Sequence, residues 1–182
     1  MHRDATANIL VQLLDVAPMD RLAQANGLVQ QYIGSAVPEI QEAEPVVQQT
    51  CAINAQGVAL SFALELQKDI VTWPNGKSTY QPDRITELTH RLTWACEVAH
   101  RLLAGGFSQE NMRGIDTAID QLLAALPEVD QEMIGQYQEL QLSAVGLMIG
   151  KFLATPEEQV LLLQWAVEDC QRFLAFAKEH AC

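Results

Sequence analysis

A chain of 182 residues with 49% hydrophobic and 19% charged residues is long enough to bury roughly 70% of its unfolded surface in one core, and this composition excludes intrinsic disorder. Eleven Lys and Arg stand against 23 Asp and Glu, a net charge of −12, which argues against nucleic acid or an anionic membrane as partner, since both require a basic patch. The acid is unevenly spread. No positive side chain occurs between Arg21 and Lys68 or between Arg113 and Lys151.

Cys51, Cys96, Cys170 and Cys182 form no C-x-x-C pair, so reduced, structural thiols in a cytoplasmic protein are expected, without zinc. In the first 20 residues Gln12 and Asp15 interrupt any apolar run, so no secretion signal is expected. The most apolar stretch, Leu142 to Ala154, is broken by Lys151 and falls short of the ~20 residues that span a bilayer.

All seven prolines, at 18, 38, 45, 74, 82, 127 and 156, stand where helices can start or stop, because proline lacks a backbone donor and biases the preceding residue away from helix. Between them the apolar period is close to 3.6, which predicts helices at about 4–16, 18–34, 45–70, 83–104, 108–126, 128–154 and 156–180. The expected fold is therefore all-α, a compact bundle of about seven helices forming a single domain over residues 1–182.

Following the second predicted helix, Glu39 and Glu42 give an E-x-x-E, as in helical nucleotide pyrophosphatases, but the second E-x-x-D such a site needs does not follow. The helix from Pro45 is apolar nearly all round, with Ile53, Leu60, Leu64 and Val71 on one side and Cys51, Phe62 and Leu66 on another, and a central position is expected for it.

The segment "IVTWPNGKSTYQ" at 70–81 contains "GKST", yet Val71 stands where a phosphate loop needs its first glycine and Pro74 removes a backbone donor. Asn75-Gly76 between β-branched and aromatic runs is instead a hairpin cue. A short β-hairpin at 70–81, with an irregular loop as the alternative, would display Trp73, Lys77 and Tyr80 as contact anchors.

In the helix at 83–104, Glu-x-x-His occurs twice, as Glu87/His90 and Glu97/His100. Ten residues separate the two, about 15 Å along the axis and about 80° around it, so they cannot share a metal pair, and outward polar side chains are expected. Asp116/Asp120 and Glu128/Glu132 are carboxylate pairs one helical turn apart, the arrangement by which all-α enzymes hold Mg²⁺ and a diphosphate.

Gly146 and Gly150 form a G-x-x-x-G, read as a close helix crossing. "TPEE" at 155–158 supplies a capping box, with Thr155 as cap, Pro156 at the first helical position and Glu158 completing it. In the helix that follows, Leu163, Val167, Cys170 and Leu174 form one stripe while Trp165 and Phe176 lie well off it, so contacts on two sides or an interface are expected.

The leading functional expectation is a non-enzymatic cytoplasmic protein-binding module, of inhibitor, immunity-protein, adaptor or chaperone type, that needs no cofactor. Its acidic helical surface of Asp116, Asp120, Glu128, Glu132 and Glu139, with Trp73, Lys77 and Tyr80 as anchors, would meet a basic or polar protein. One alternative is a Mg²⁺-dependent all-α phosphohydrolase using the paired carboxylates. Another is a helical protein with a pocket for a small ligand beside Trp165 and Phe176, whose wide apolar arcs equally fit a homodimer seam.

Overall fold

The computed structural model describes residues 1–66, 82–105 and 107–180. Among the described residues the chain forms eight α-helices and no strand: α1 (His2–Leu14), α2 (Arg21–Ala36), α3 (Pro45–Glu65), α4 (Pro82–Leu103), α5 (Ile115–Ala125), α6 (Gln131–Gln136), α7 (Gln138–Leu153) and α8 (Pro156–His180). The fold is all-α, as the periodicity predicts. The hairpin expected at 70–81, with Trp73, Lys77 and Tyr80, lies outside the described residues.

Proline sets many of the boundaries. Pro45, Pro82 and Pro156 open α3, α4 and α8 at the first helical position, where the missing N–H has no partner to lose. Pro18 and Pro38 instead open single 3₁₀ turns, Pro18–Asp20 and Pro38–Glu42, and a third such turn, Gln109–Gly114, precedes α5. The capping box before α8 is formed in both directions: the Thr155 N–H donates to Glu158 Oε2 at 2.7 Å and the Glu158 N–H to Thr155 Oγ1 at 3.3 Å.

The helix expected at 128–154 is two helices. Asp130 caps α6 by accepting from the Met133 N–H at 2.8 Å, and the backbone turns extended at Tyr137, with φ −111° and ψ 108°. In one continuous helix Ile134 and Leu140 would point about 120° apart. The break lets both face the core, at 4% and 0% exposure, and sets the Tyr137 ring edge-on to Phe173 at 5.3 Å.

Helix α3 is central, packed against α2, α4, α7 and α8, and it buries residues on all its faces, from Thr50 to Leu64. Helix α8 packs on α7, α3 and α5 but leaves Val160 and Leu161 exposed near its start. No helix among the described residues is long and apolar enough to cross a membrane.

Candidate functional site

Three polar rows meet where α3, α4 and α8 come together. At helical spacing, α3 carries Asn54, Val58, Ser61 and Glu65; α4 carries Arg84, Leu88, Arg91 and Ala95; and α8 carries Leu162, Ala166, Asp169 and, beside that row, Glu168 and Arg172. Each row replaces some of its apolar positions with polar ones. Residues spaced i, i+4, i+7 share a face, so the substituted positions converge.

Arg91 is the hub. Its Nη1 donates to Asp169 Oδ2 at 2.6 Å and to Ser61 Oγ, while Nη2 donates to Glu87 Oε1 at 2.5 Å and to Glu168 Oε2 at 3.2 Å. Ser61 Oγ in turn donates to Asp169 Oδ2 at 2.6 Å. Closer to the helix ends, Arg84 bonds Glu65, Glu87 and Glu168, and Arg172 Nη2 reaches Glu65 Oε2 at 3.0 Å. Charges taken from water need this many partners, because an unpaired one would be costly there.

The proton affinities of the acids follow from this arrangement. Burial pushes the Glu87 carboxyl up, but Arg91 and Arg84 outweigh it and hold the group below its ordinary range. Glu168 moves the other way, since burial and the neighbouring Glu87 charge outweigh its arginines. Burial also raises Asp169, although Arg91 and Ser61 oppose it.

Beside the network, α3, α4, α7 and α8 line a half-open recess of about 60 Å³. Its polar lining is Asn54, Ser61, Arg91, Ser143 and Asp169, and its walls include Trp94, Trp165 and Leu162. Asn54 Nδ2 and Asp169 Oδ1 are buried without a hydrogen-bond partner, and the two residues are only 6% and 5% exposed. Such atoms are rare in folded proteins, because an unmet buried donor or acceptor keeps its full desolvation cost.

The indole walls are held in place. The Arg91 guanidinium lies over the Trp165 ring at 5.1 Å and that of Arg101 over Trp94 at 4.7 Å, within the range of a cation–π contact. Arg101 is itself anchored by the Leu153 carbonyl, by both Glu158 carboxylate oxygens at 2.9 Å and by Glu97. Trp94, Leu162 and Trp165 also line an outer groove of about 150 Å³, bordered by His90, Thr93, Glu97, Glu158 and Leu161.

None of the acids expected to form a contact face lines this site. Asp116 and Asp120 are exposed on α5, Glu128 is exposed between α5 and α6, and Glu132 is exposed on α6, where it accepts from Gln136 Nε2 at 3.1 Å. Glu139 is half-buried in the first turn of α7. Glu39 and Glu42 are exposed on a 3₁₀ turn. Among the described residues no group of three or more His, Cys, Asp or Glu is arranged to hold a metal ion, so the converging acids that a Mg²⁺-dependent hydrolase requires are not found there.

Of the Glu-x-x-His residues, His90, Glu97 and His100 are exposed as expected. Glu87 is turned inward to its two arginines. The G-x-x-x-G is half a helix crossing: a Cβ on Gly150 would stand 2.3 Å from Leu162 Cδ1, but one on Gly146 would meet nothing within 4 Å. Gly146 lines the cavity instead.

The wide apolar arc of α8 also divides. Trp165 is the cavity wall, and Phe176 stacks with His180 at 4.1 Å. The residues missed from sequence are Asn54, Ser61, Trp94, Arg91 and Asp169. For all but Trp94 the signal is a polar or charged residue inside an apolar helical row. Compared with protein-family models, with curated proteins and with solved structures, the chain matches none.

Proposed function

We propose that this protein is a non-enzymatic binding protein that holds a small organic molecule between α3, α4, α7 and α8. The observation that carries this reading is that two of the four unpartnered buried side-chain atoms among the described residues, Asn54 Nδ2 and Asp169 Oδ1, belong to residues on the wall of one recess with two clamped indoles, the other two being Arg84 Nη2 and Arg172 Nη1. A mostly apolar recess with a few polar groups set in it is the usual form of a small-molecule site. We take the place of action to be the cytoplasm, a reading supported by the unpaired thiols of Cys51, Cys96 and Cys170, since chains of oxidising compartments commonly pair theirs.

The test is calorimetric titration of a fragment set into the wild type and into Gly146→Leu, whose added side chain grows into the cavity. Saturable binding of at least one fragment by the wild type alone supports the reading. A set in which no fragment distinguishes the two proteins removes it.

A second reading is favoured by a separate observation. Five of the nine described Lys and Arg side chains, Arg21, Arg84, Arg91, Arg101 and Arg172, are spent on internal carbonyls and carboxylates, which leaves Arg3, Arg113, Lys151 and Lys178 exposed. The same contacts occupy six acids, Glu65, Glu87, Glu97, Glu158, Glu168 and Asp169, so the exterior keeps the acidic excess of the composition. A basic protein partner at Asp116, Asp120, Glu128 and Glu132 would use that excess, and retention from native extract at low salt but not at high salt is the result it requires.

A further inference from the structure

We infer that the junction of α3, α4 and α8 is a proton-binding site: Glu87 and Glu168 take up one proton between them, and its uptake on acidification replaces a repulsion between α4 and α8 with a hydrogen bond. The side chains involved form a closed ring. Arg84 Nη1 donates to Glu87 Oε2 and to Glu168 Oε1, and Arg91 Nη2 donates to Glu87 Oε1 and to Glu168 Oε2. Because both carboxylates accept from the same two nitrogens, they are held beside each other, within reach of a carboxyl–carboxylate hydrogen bond.

The junction also carries a surplus of negative charge. Arg84, Arg91 and Arg172 bring three positive charges to it, against the four negative charges of Glu65, Glu87, Glu168 and Asp169. The guanidiniums and Asp169 are largely buried, so this surplus is poorly solvated. One proton removes it. Two carboxylates that share a site ionise one after the other rather than together.

Geometry selects the acids that share the proton. Asp169 Oδ2 already accepts from Arg91 and Ser61, and Oδ1 has no partner, so a proton on Oδ1 would find no acceptor. Glu65 Oε2 is taken by both Arg84 and Arg172. Glu168 has the Glu87 carboxylate opposite to accept from its O–H, and at 40% exposure it is the side chain of the junction most open to solvent. Burial and the Glu87 charge raise its proton affinity against the pull of Arg84 and Arg91, while at Glu87 those two arginines outweigh burial.

The other charged groups nearby leave this pair to itself. On α8 the neighbours are Asp169 and Arg172, both engaged as above. His90, one turn on from Glu87, is exposed and lines the outer groove. Helices α5 and α7 also pack on α8, yet among the described residues the ion-pair partners of Glu168 come from α4 alone. Since α4 is ion-paired to α8 through Arg84, Arg91 and Arg101, the proton acts at two of those three links.

Stability follows by linkage. The folded protein takes up this proton at a higher pH than the unfolded chain, whose carboxyl has the ordinary value of 4.5. Stability therefore rises as pH falls from the raised folded value, and the rise is complete below 4.5. Glu158 acts in the opposite direction, so the comparison is made with Glu168→Gln, which retains Glu158 and mimics the protonated carboxyl.

The experiment follows the side-chain carboxyl ¹³C resonances of the whole chain from neutral to acid pH, in the wild type, Glu168→Gln and Glu87→Gln, with urea unfolding over the same range. The expected result is a Glu168 midpoint above 4.5, a Glu87 resonance that registers the same step, and a Glu168 midpoint lowered by Glu87→Gln. Glu168→Gln should be more stable than wild type near neutrality, with the advantage shrinking as pH falls. A Glu168 midpoint at or below 4.5 overturns the site. A raised midpoint that Glu87→Gln leaves in place overturns the sharing, since burial alone then accounts for it. A stability difference independent of pH overturns the link between α4 and α8. Where Glu87→Gln fails to fold, the wild-type Glu87 resonance decides: no movement through the Glu168 step overturns the sharing.

Discussion

Arg91 on α4 and Asp169 on α8 form an ion pair at 2.6 Å in which the side chains are only 3% and 7% exposed. Removing one member leaves the other buried without its counter-charge, which in general costs about 3–5 kcal/mol. Because Glu87 and Glu168 still accept from Arg91, Asp169→Ala is expected near the lower end, about 3 kcal/mol. The double variant Arg91→Met, Asp169→Leu should recover only part of that loss, since the apolar pair carries no desolvation cost but leaves Glu87 and Glu168 with Arg84 alone. Urea unfolding measures both. A single variant within about 0.5 kcal/mol of wild type, the range of an ordinary surface substitution, would show that the pair is not buried in solution.

Acid stability should depend on Glu158. Its hydrogen bonds from Arg101, helped by the Thr155 N–H, outweigh the opposing effect of burial and hold its carboxyl at about 2 rather than 4.5. As pH falls, the unfolded chain therefore takes up this proton before the folded one does. The contribution of Glu158 is present above about 4.5 and is lost as pH falls towards about 2. The stability difference between wild type and Glu158→Gln should shrink through that window, and it should shrink with salt because the pair is partly exposed. A difference that is constant across the window would contradict the assignment.

What could be read in advance divides by physical cause. Proline positions and the apolar period gave the helix order, because both act locally along the chain, and the Thr155–Glu158 capping box was legible for the same reason. The break at Tyr137 was not legible: no proline marks it, and it exists because Ile134 and Leu140 must reach the same core. The site was hidden by a similar logic. Arg91 and Asp169 are separated by 78 residues, and nothing local shows that their rows face each other. Their only trace was a charge in a position where the row called for an aliphatic side chain. Conversely, the i, i+4 acids Asp116 and Asp120 were conspicuous in sequence because they are exposed, where selection on packing is absent.

Three thiols should be inert in the folded protein. Burial pushes Cys51 and Cys96 up to about 11 and Cys170 up to about 12, with Ser143 only partly offsetting it at Cys170. The thiolate is the reactive form, and at pH 8 it would make up about a thousandth or less of each group. Iodoacetamide pulses followed by peptide mass spectrometry should leave these cysteines unmodified in buffer and alkylate them in urea. Labelling of Cys170 at the rate of a free thiol under native conditions would mean that the α7–α8 packing opens readily.

The two glycines of α7 should respond in opposite ways to the same substitution. Alanine at an exposed or uncrowded helical glycine gains roughly 0.5–1 kcal/mol from reduced backbone entropy in the unfolded chain. At Gly146 the new methyl meets no atom within 4 Å, so Gly146→Ala should raise stability by about that amount while narrowing the cavity. At Gly150 the methyl would lie 2.3 Å from Leu162 Cδ1, and Leu162 must leave its rotamer at a cost of about 0.5–1.5 kcal/mol. Gly150→Ala should therefore come out neutral or destabilising, although the two positions share one helix and one turn. Equal gains at both positions in chemical denaturation would show that α7 and α8 do not cross at Gly150 as closely as the structure has them.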